Sequence, residues 1–120
     1  MTPDWNALSA QCPTRLLLDR IANKWTVLVI DLLEPGSRRF SDLKRSIEGI
    51  SQKMLTQTLR AMEADGFVNR RAFATVPVTV EYSLTPLGQS LQQALGPLRR
   101  WAEDNITDVL RARAEGADTT

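Results

Sequence analysis

A chain of 120 residues, 42% hydrophobic and 24% charged, is sized and composed for one globular domain. No apolar run approaches the roughly 20 residues that cross a bilayer. The start, MTPDWNALSA, lacks the basic and apolar regions of a signal peptide, so a cytoplasmic protein with no membrane partner is expected. With one cysteine and no histidine, an internal disulfide, a metal site and a histidine-based catalytic triad are not expected.

Residues 1–12 are polar around a lone Trp5 and read as an arm, flexible or dependent on a partner. Pro13 suits the first turn of a helix that runs to about Ala22, with Leu16, Leu17, Leu18 and Ile21 as its apolar positions. Asn23 can cap a second helix carrying Trp25, Leu28, Val29, Leu32 and Leu33, and Pro35-Gly36 ends it; the two helices occupy residues 13–34. So many apolar positions predict a central, well-buried second helix with Trp25 in the core.

A short third helix is predicted from Phe40-Ser41-Asp42, with Ser41 as N-cap, Asp42 near the positive helix end, and Leu43 and Ile47 turned inward. It stops at Glu48-Gly49. The stretch GISQKMLTQTLRAMEADG, residues 49–66, follows with a serine at a helix start and a glycine at its end, where the left-handed conformation halts a helix. At roughly 100° per residue Met54, Leu55, Leu59 and Met62 share one side of it. Lys53, Thr56, Gln57 and Arg60 share the other, with Gln52 at its N-terminal edge. That outer face offers long donors and acceptors, positive charge and no carboxylate before Glu63, which is the chemistry that reads base edges in a DNA major groove. An ordinary solvated surface helix has the same pattern, so the flanks must decide. Two short helices joined by a glycine-containing turn, over residues 41–65, have the spacing of a helix-turn-helix, whose second helix is the reader.

Beyond Gly66 the period becomes alternating. Residues 67–73 and 79–84 read as strands joined by a connection of hairpin length, 74–78. A hairpin directly behind a helix-turn-helix makes a winged helix, and Arg70 and Arg71 bring charge to the wing, 67–84. Net charge is only +1, yet residues 38–71 carry a balance of +4 and the remainder −3. Clustered charge of this kind is the footprint of one DNA-facing surface.

Thr85-Pro86 starts a C-terminal helical region over 86–115, with proline at its first position. Leu87, Leu91, Leu95, Leu98, Trp101, Ala102, Ile106, Val109 and Leu110 make one long apolar stripe there. Pro97 is expected to kink the helix or begin a new one. The stripe exceeds what the chain's own core needs, so Leu91, Leu95, Leu98, Trp101, Ile106, Val109 and Leu110 read as a dimerisation surface, completed by the first helix. Packing within its own chain is the alternative. The tail from about Ala114 is small and polar and reads as frayed. Together the elements predict a mainly α fold with a small β-hairpin wing (α+β): a single winged helix-turn-helix domain over 1–120, dimerising through its N- and C-terminal helices.

These residues resemble the HxlR-type regulators within the wider MarR-like winged-helix group. The resemblance covers about residues 12–101. It rests on Cys12-Pro13, Lys24-Trp25, Arg39-Phe40-Ser41-Asp42-Leu43, the block ISQKMLTQTLR at 50–60 followed through Gly66, the block VEYSLT at 80–85, Gly88 and Trp101. It implies a homodimeric bacterial transcription factor on an inverted-repeat operator near its target gene. The chain departs from the pattern at Ile21-Ala22-Asn23-Lys24-Trp25, where the family has two glycines before Lys-Trp.

The residues and the resemblance lead to one expected mechanism. Each protomer of a homodimer lays Ser51 to Arg60 in the major groove of double-stranded DNA, a pseudo-palindromic operator. Gln52, Lys53, Thr56 and Gln57 are the candidate base readers, and Arg60 reaches a phosphate or a guanine. Arg39, Lys44, Arg70 and Arg71 contact phosphates, holding register without reading sequence. Cys12, just before a helix N-terminus, is placed where free amides lower a thiol's pKa. Among the proteins the chain resembles, a cysteine there senses oxidants, quinones or other electrophiles, which implies a repressor switched at Cys12; a small buried apolar residue is the competing reading. Two rivals remain. One is a regulator answering to a small aromatic effector in a dimer-interface pocket lined by Trp5, Trp25 or Trp101; the other is a winged-helix protein-interaction module. An enzyme is the weakest reading: no phosphate-cradling glycine loop is present, carboxylates such as Asp19 and Asp31 need only solvent or helix-pair roles, and no cofactor is expected.

Overall fold

The computed structural model describes residues 5–118. The elements run α1 (Pro13–Ile21), α2 (Lys24–Leu32), β1 (Arg38–Arg39), α3 (Phe40–Ser46), α4 (Gln52–Ala64), β2 (Val68–Phe73), β3 (Thr79–Leu84) and α5 (Pro86–Asp118). Helices dominate, beside one small antiparallel sheet of order β1-β3-β2. The winged helix-turn-helix expected from the periodicity is the fold.

Helix α2 is its centre. Asn23 caps it, with Oδ1 accepting the Trp25 amide at 2.9 Å. Ala22 and Asn23 sit at φ −85° and −80°, ordinary values, so the turn before Lys24-Trp25 needs no glycine. Val29, Ile30 and Leu33 are buried with Leu43, Ile47, Ile50, Leu55, Leu59, Met62, Phe67, Val68, Tyr82 and Leu95, and Trp25 packs against them. Each fully buried leucine in this set stabilises the fold by about 1.5–3 kcal/mol.

Helix α3 departs from expectation at its start. Ser41 is not its N-cap; Arg39 is, without a side-chain hydrogen bond. The reason is β1, a strand of two residues too short to show a period. Its pairing, Arg38 with Tyr82 and Arg39 with Glu81, carries extended backbone up to Arg39, and the helix begins at once with Phe40. Residues 47–51 then turn the chain, with Ile47 and Ile50 buried and Gly49 at φ +86°. Ser51 caps α4 as expected, Oγ accepting the Met54 amide at 3.0 Å. Leu55, Thr58, Leu59 and Met62 are the buried face of α4. Gly66 at φ +84° ends it, and the Phe67 amide closes back on the Met62 carbonyl at 2.8 Å.

The wing pairs from Val68 with Leu84 through Phe73 with Thr79. Thr85 joins its base to the helix that follows, its hydroxyl donating to the Gly66 carbonyl at 2.6 Å and accepting the Gly88 amide at 3.0 Å. From Pro86 a single helix of 33 residues, about 50 Å long, passes through Pro97 and runs to Asp118. No new helix begins at Pro97, and the helix continues past Ala114, where fraying was expected. Proline removes one backbone rung, and contacts on both sides of it brace the helix: Asp31 on α2 accepts from Gln92 Nε2 at 2.8 Å before it and from Arg99 Nε beyond it, and within α5 Arg99 also grips Glu103 at 2.8 Å. Residues 1–4 of the expected arm lie outside the described residues. The rest of the arm is tied down, since Arg15 donates to the carbonyls of Ala7 at 3.0 Å and Leu8 at 2.7 Å.

Candidate nucleic-acid interface

The outer face of α4 is open to solvent. Ser51, Gln52, Lys53, Gln57 and Arg60 are exposed and Thr56 is half-buried, while the opposite face is sunk in the core. Backbone geometry explains the split: a 3.6-residue period puts 55, 59 and 62 inward and leaves 53, 57 and 60 outward. The serine cap means that the N-terminal end of α4 is satisfied internally at Met54, leaving the amides ahead of it open.

The wing contributes unequally. Residues directly opposite on paired strands share a face. Arg70, opposite Tyr82, is on the side of α4, where Thr56, Arg60, Glu63, Arg70 and Tyr82 line one hollow of about 370 Å³. Arg71, opposite Glu81, faces the other way; its guanidinium lies 4.8 Å from the Phe73 ring centroid. Arg39 is on that second face too, 4.0 Å from the Glu81 carboxylate. Thr56, Arg60 and Arg70 therefore form one group, and Arg39 and Arg71 form another around Glu81. Lys44 is exposed on α3. The two remaining basic residues of 38–71 are engaged within the chain: Arg38 donates to the Leu32 carbonyl at 2.9 Å, and Arg45 pairs with Asp42.

The stripe on α5 divides as well. Leu95 is buried in the protomer's own core and Leu91 packs against it, whereas Leu98, Trp101, Ile106 and Leu110 are exposed and Val109 is half-buried. On α1, Leu16, Leu17 and Leu18 are exposed. Period alone could not separate these two sets, because inner and outer leucines recur at the same spacing. Of the three tryptophans, Trp5 and Trp101 are about 60% exposed, whereas Trp25 packs on the core.

Cys12 is the N-cap of α1 and is half-buried. The Thr14 hydroxyl lies 3.0 Å from Sγ and the Asn6 amide donates to Sγ at 3.2 Å. The Thr14 side chain is the main influence holding the thiol below its ordinary pKa; burial pushes it up, and the Thr14 and Asn6 amides add to the lowering. Such donors stabilise thiolate. Among the described residues, no helix is long and apolar enough to cross a membrane.

Comparison with known proteins agrees with this architecture. Residues 20–109 match the HxlR-like helix-turn-helix family. The uncharacterized HTH-type transcriptional regulator YtfH of Escherichia coli (strain K12) is 47% identical over 112 residues, covering 93% of this chain and 89% of that one. The solved structure of ytfH from Salmonella typhimurium superposes with a TM-score of 0.88 at 44% identity, covering 92% and 99%. The redox regulator HypR in its oxidized form superposes at 0.71 with 39% identity, covering 78% and 97%. The chain belongs to the HxlR-like helix-turn-helix family and is a DNA-binding transcriptional regulator, not an enzyme.

Proposed function

We propose that the chain acts in the cytoplasm as a homodimeric repressor on a pseudo-palindromic operator, each protomer laying the outer face of α4 in a major groove. The observation that carries this reading is that face itself: Gln52, Lys53, Gln57 and Arg60 are exposed on a capped helix whose other side is locked in the core. In this reading Gln52, Lys53, Thr56 and Gln57 meet base edges. Arg39, Lys44, Arg70 and Arg71 meet phosphates, with Arg70 nearest the reading helix. The exposed leucines of α1 and the Leu98, Trp101, Ile106 and Leu110 edge of α5, with Val109, cover one another across a two-fold axis. That symmetry sets two reading helices about one DNA turn, ~34 Å, apart.

The switch is the Cys12 thiol. Its lowered pKa favours thiolate, and the similarity to HypR, a redox regulator by its title, supports oxidation or alkylation as the signal. With one cysteine in the chain, an inter-subunit disulfide has to join Cys12 to its own copy.

The test compares two variants. A bidentate base contact is worth about 1–3 kcal/mol. Gln57→Ala should therefore weaken operator binding about 5- to 150-fold with the loss confined to one base pair of each half-site. Arg70→Ala should weaken all sequences alike and reduce the salt slope by about one. Wild-type affinities and slopes in both variants would refute the assignment.

A further inference from the structure

Helix α1 is attached to its protomer at one end. None of its nine residues is buried, so apolar packing does little to fix its direction. Its leucines face solvent, and only Ile21 packs partly against the core. The Thr26 hydroxyl donates to the Arg20 carbonyl at 3.2 Å. From that anchored point the Arg20 guanidinium crosses to α4. There Nε donates to Asp65 Oδ2 at 2.7 Å and Nη2 to the Ala61 carbonyl at 3.4 Å.

Asp65 is the C-cap of the reading helix and Ala61 belongs to its last turn. A guanidinium suits this place twice over: its planar fork engages two acceptors at a fixed angle, and positive charge is favoured beside a helix C-terminus. Next to the fork lies an open cleft of about 420 Å³, lined by Arg20 of α1, Asn23 and Thr26 at the start of α2, and Met54, Gln57 and Ala61 of α4. The pair is also half in water, its side chains 48% and 24% exposed, where ion pairs add little to stability. Its consequence is geometric.

We propose that Arg20 and Asp65 are positioning residues that set the separation of the two reading helices, and so the operator spacing the dimer accepts. The inference rests on the dimer described above, in which the α1 leucines meet the partner. The chain of contacts then runs from the partner through α1 and the Arg20 fork to the C-terminal end of α4. Neighbouring base pairs are only about 3.4 Å apart along the duplex. Because α4 is locked in the core, it moves only with its domain: a domain released from α1 can follow a half-site moved by one base pair, and a domain held by the fork cannot.

The test uses full-length protein and duplexes bearing two copies of the half-site that the wild type selects from random DNA. Spacers cover the preferred length and one base pair either side, and affinity is read by fluorescence anisotropy. Wild type should prefer one spacer. Arg20→Gln and Asp65→Asn should each reduce that preference about two- to fivefold, as the modest strength of an exposed pair allows, with melting temperature and affinity for random DNA unchanged. The exchange Arg20→Asp with Asp65→Arg should restore the preference, which a general loss of structure would not permit. Wild-type spacer ratios in both single variants, or equal weakening on every spacer, would overturn the inference. Wild type binding two half-sites no better than one would overturn the dimeric reading on which it stands, a separate and recognisable result.

Discussion

The contact between α2 and α5 gives a quantitative test of how the long C-terminal helix is held. Asp31 accepts from Gln92 at 2.8 Å and from Arg99, with the two charged side chains 11% and 32% exposed. Asp31→Asn keeps the size and removes the charge. A hydrogen bond to a charged group contributes about 1.5–3 kcal/mol; with Arg99 partly in water and still bonded to Glu103, the loss should be about 1–2 kcal/mol. For a protein of this size that lowers Tm by roughly 4–8 °C. The pH dependence gives a second reading. Burial pushes the Asp31 carboxyl up, but the hydrogen bonds from Gln92 and Arg99 and the nearby charges of Arg99 and Arg100 outweigh it, so its pKa is held below the ordinary value. A depressed carboxyl pKa contributes stability that is fully present above the unfolded value, about 3.9, and is lost as pH falls through the folded value. The gap between wild type and Asp31→Asn should therefore be constant from pH 6 to 8 and close below about pH 4. Thermal unfolding at fixed protomer concentration measures both. Equal Tm values at pH 7, or an undiminished gap in acid, would refute the reasoning.

Three further outcomes are expected. A methyl group at Gly88 would sit 2.0 Å from the Phe67 carbonyl oxygen, a backbone atom that cannot swing aside, so Gly88→Ala should cost about 1–3 kcal/mol or more by urea denaturation; an unaltered midpoint would contradict the close approach of α5 to the strand start. Trp101 is 60% exposed in the protomer, and if it is covered by a second copy, Trp101→Ala removes about 1.5–3 kcal/mol twice per dimer, raising the dimer Kd at least about 100-fold by analytical ultracentrifugation; an unchanged Kd would place the interface elsewhere. Diamide should lower wild-type operator affinity by roughly 5- to 150-fold, the usual size of a coupling between sites, and leave Cys12→Ser unaffected; equal responses would remove Cys12 as the switch.

Much of this molecule is legible from local pattern. The caps at Asn23, Ser51 and Thr85, the glycine stop at Gly66, the outward Lys53, Gln57 and Arg60 and the two wing strands all follow from contacts within a few residues, which period and residue type report directly. Sequence determined those, and with them the winged helix-turn-helix and the exposed polar face of α4. Tertiary structure decided the rest. It started α3 at Phe40 by pairing β1 with β3, put Arg70 rather than Arg71 on the side of α4, and buried Leu95 while leaving Leu98 and Trp101 in solvent. It also set the bonds from Asp31 to Gln92 and Arg99, across 61 and 68 residues, and from Arg20 to Asp65 across 45. Each of these depends on which element lies beside which, and the helical or strand period of a segment carries no information about its neighbour.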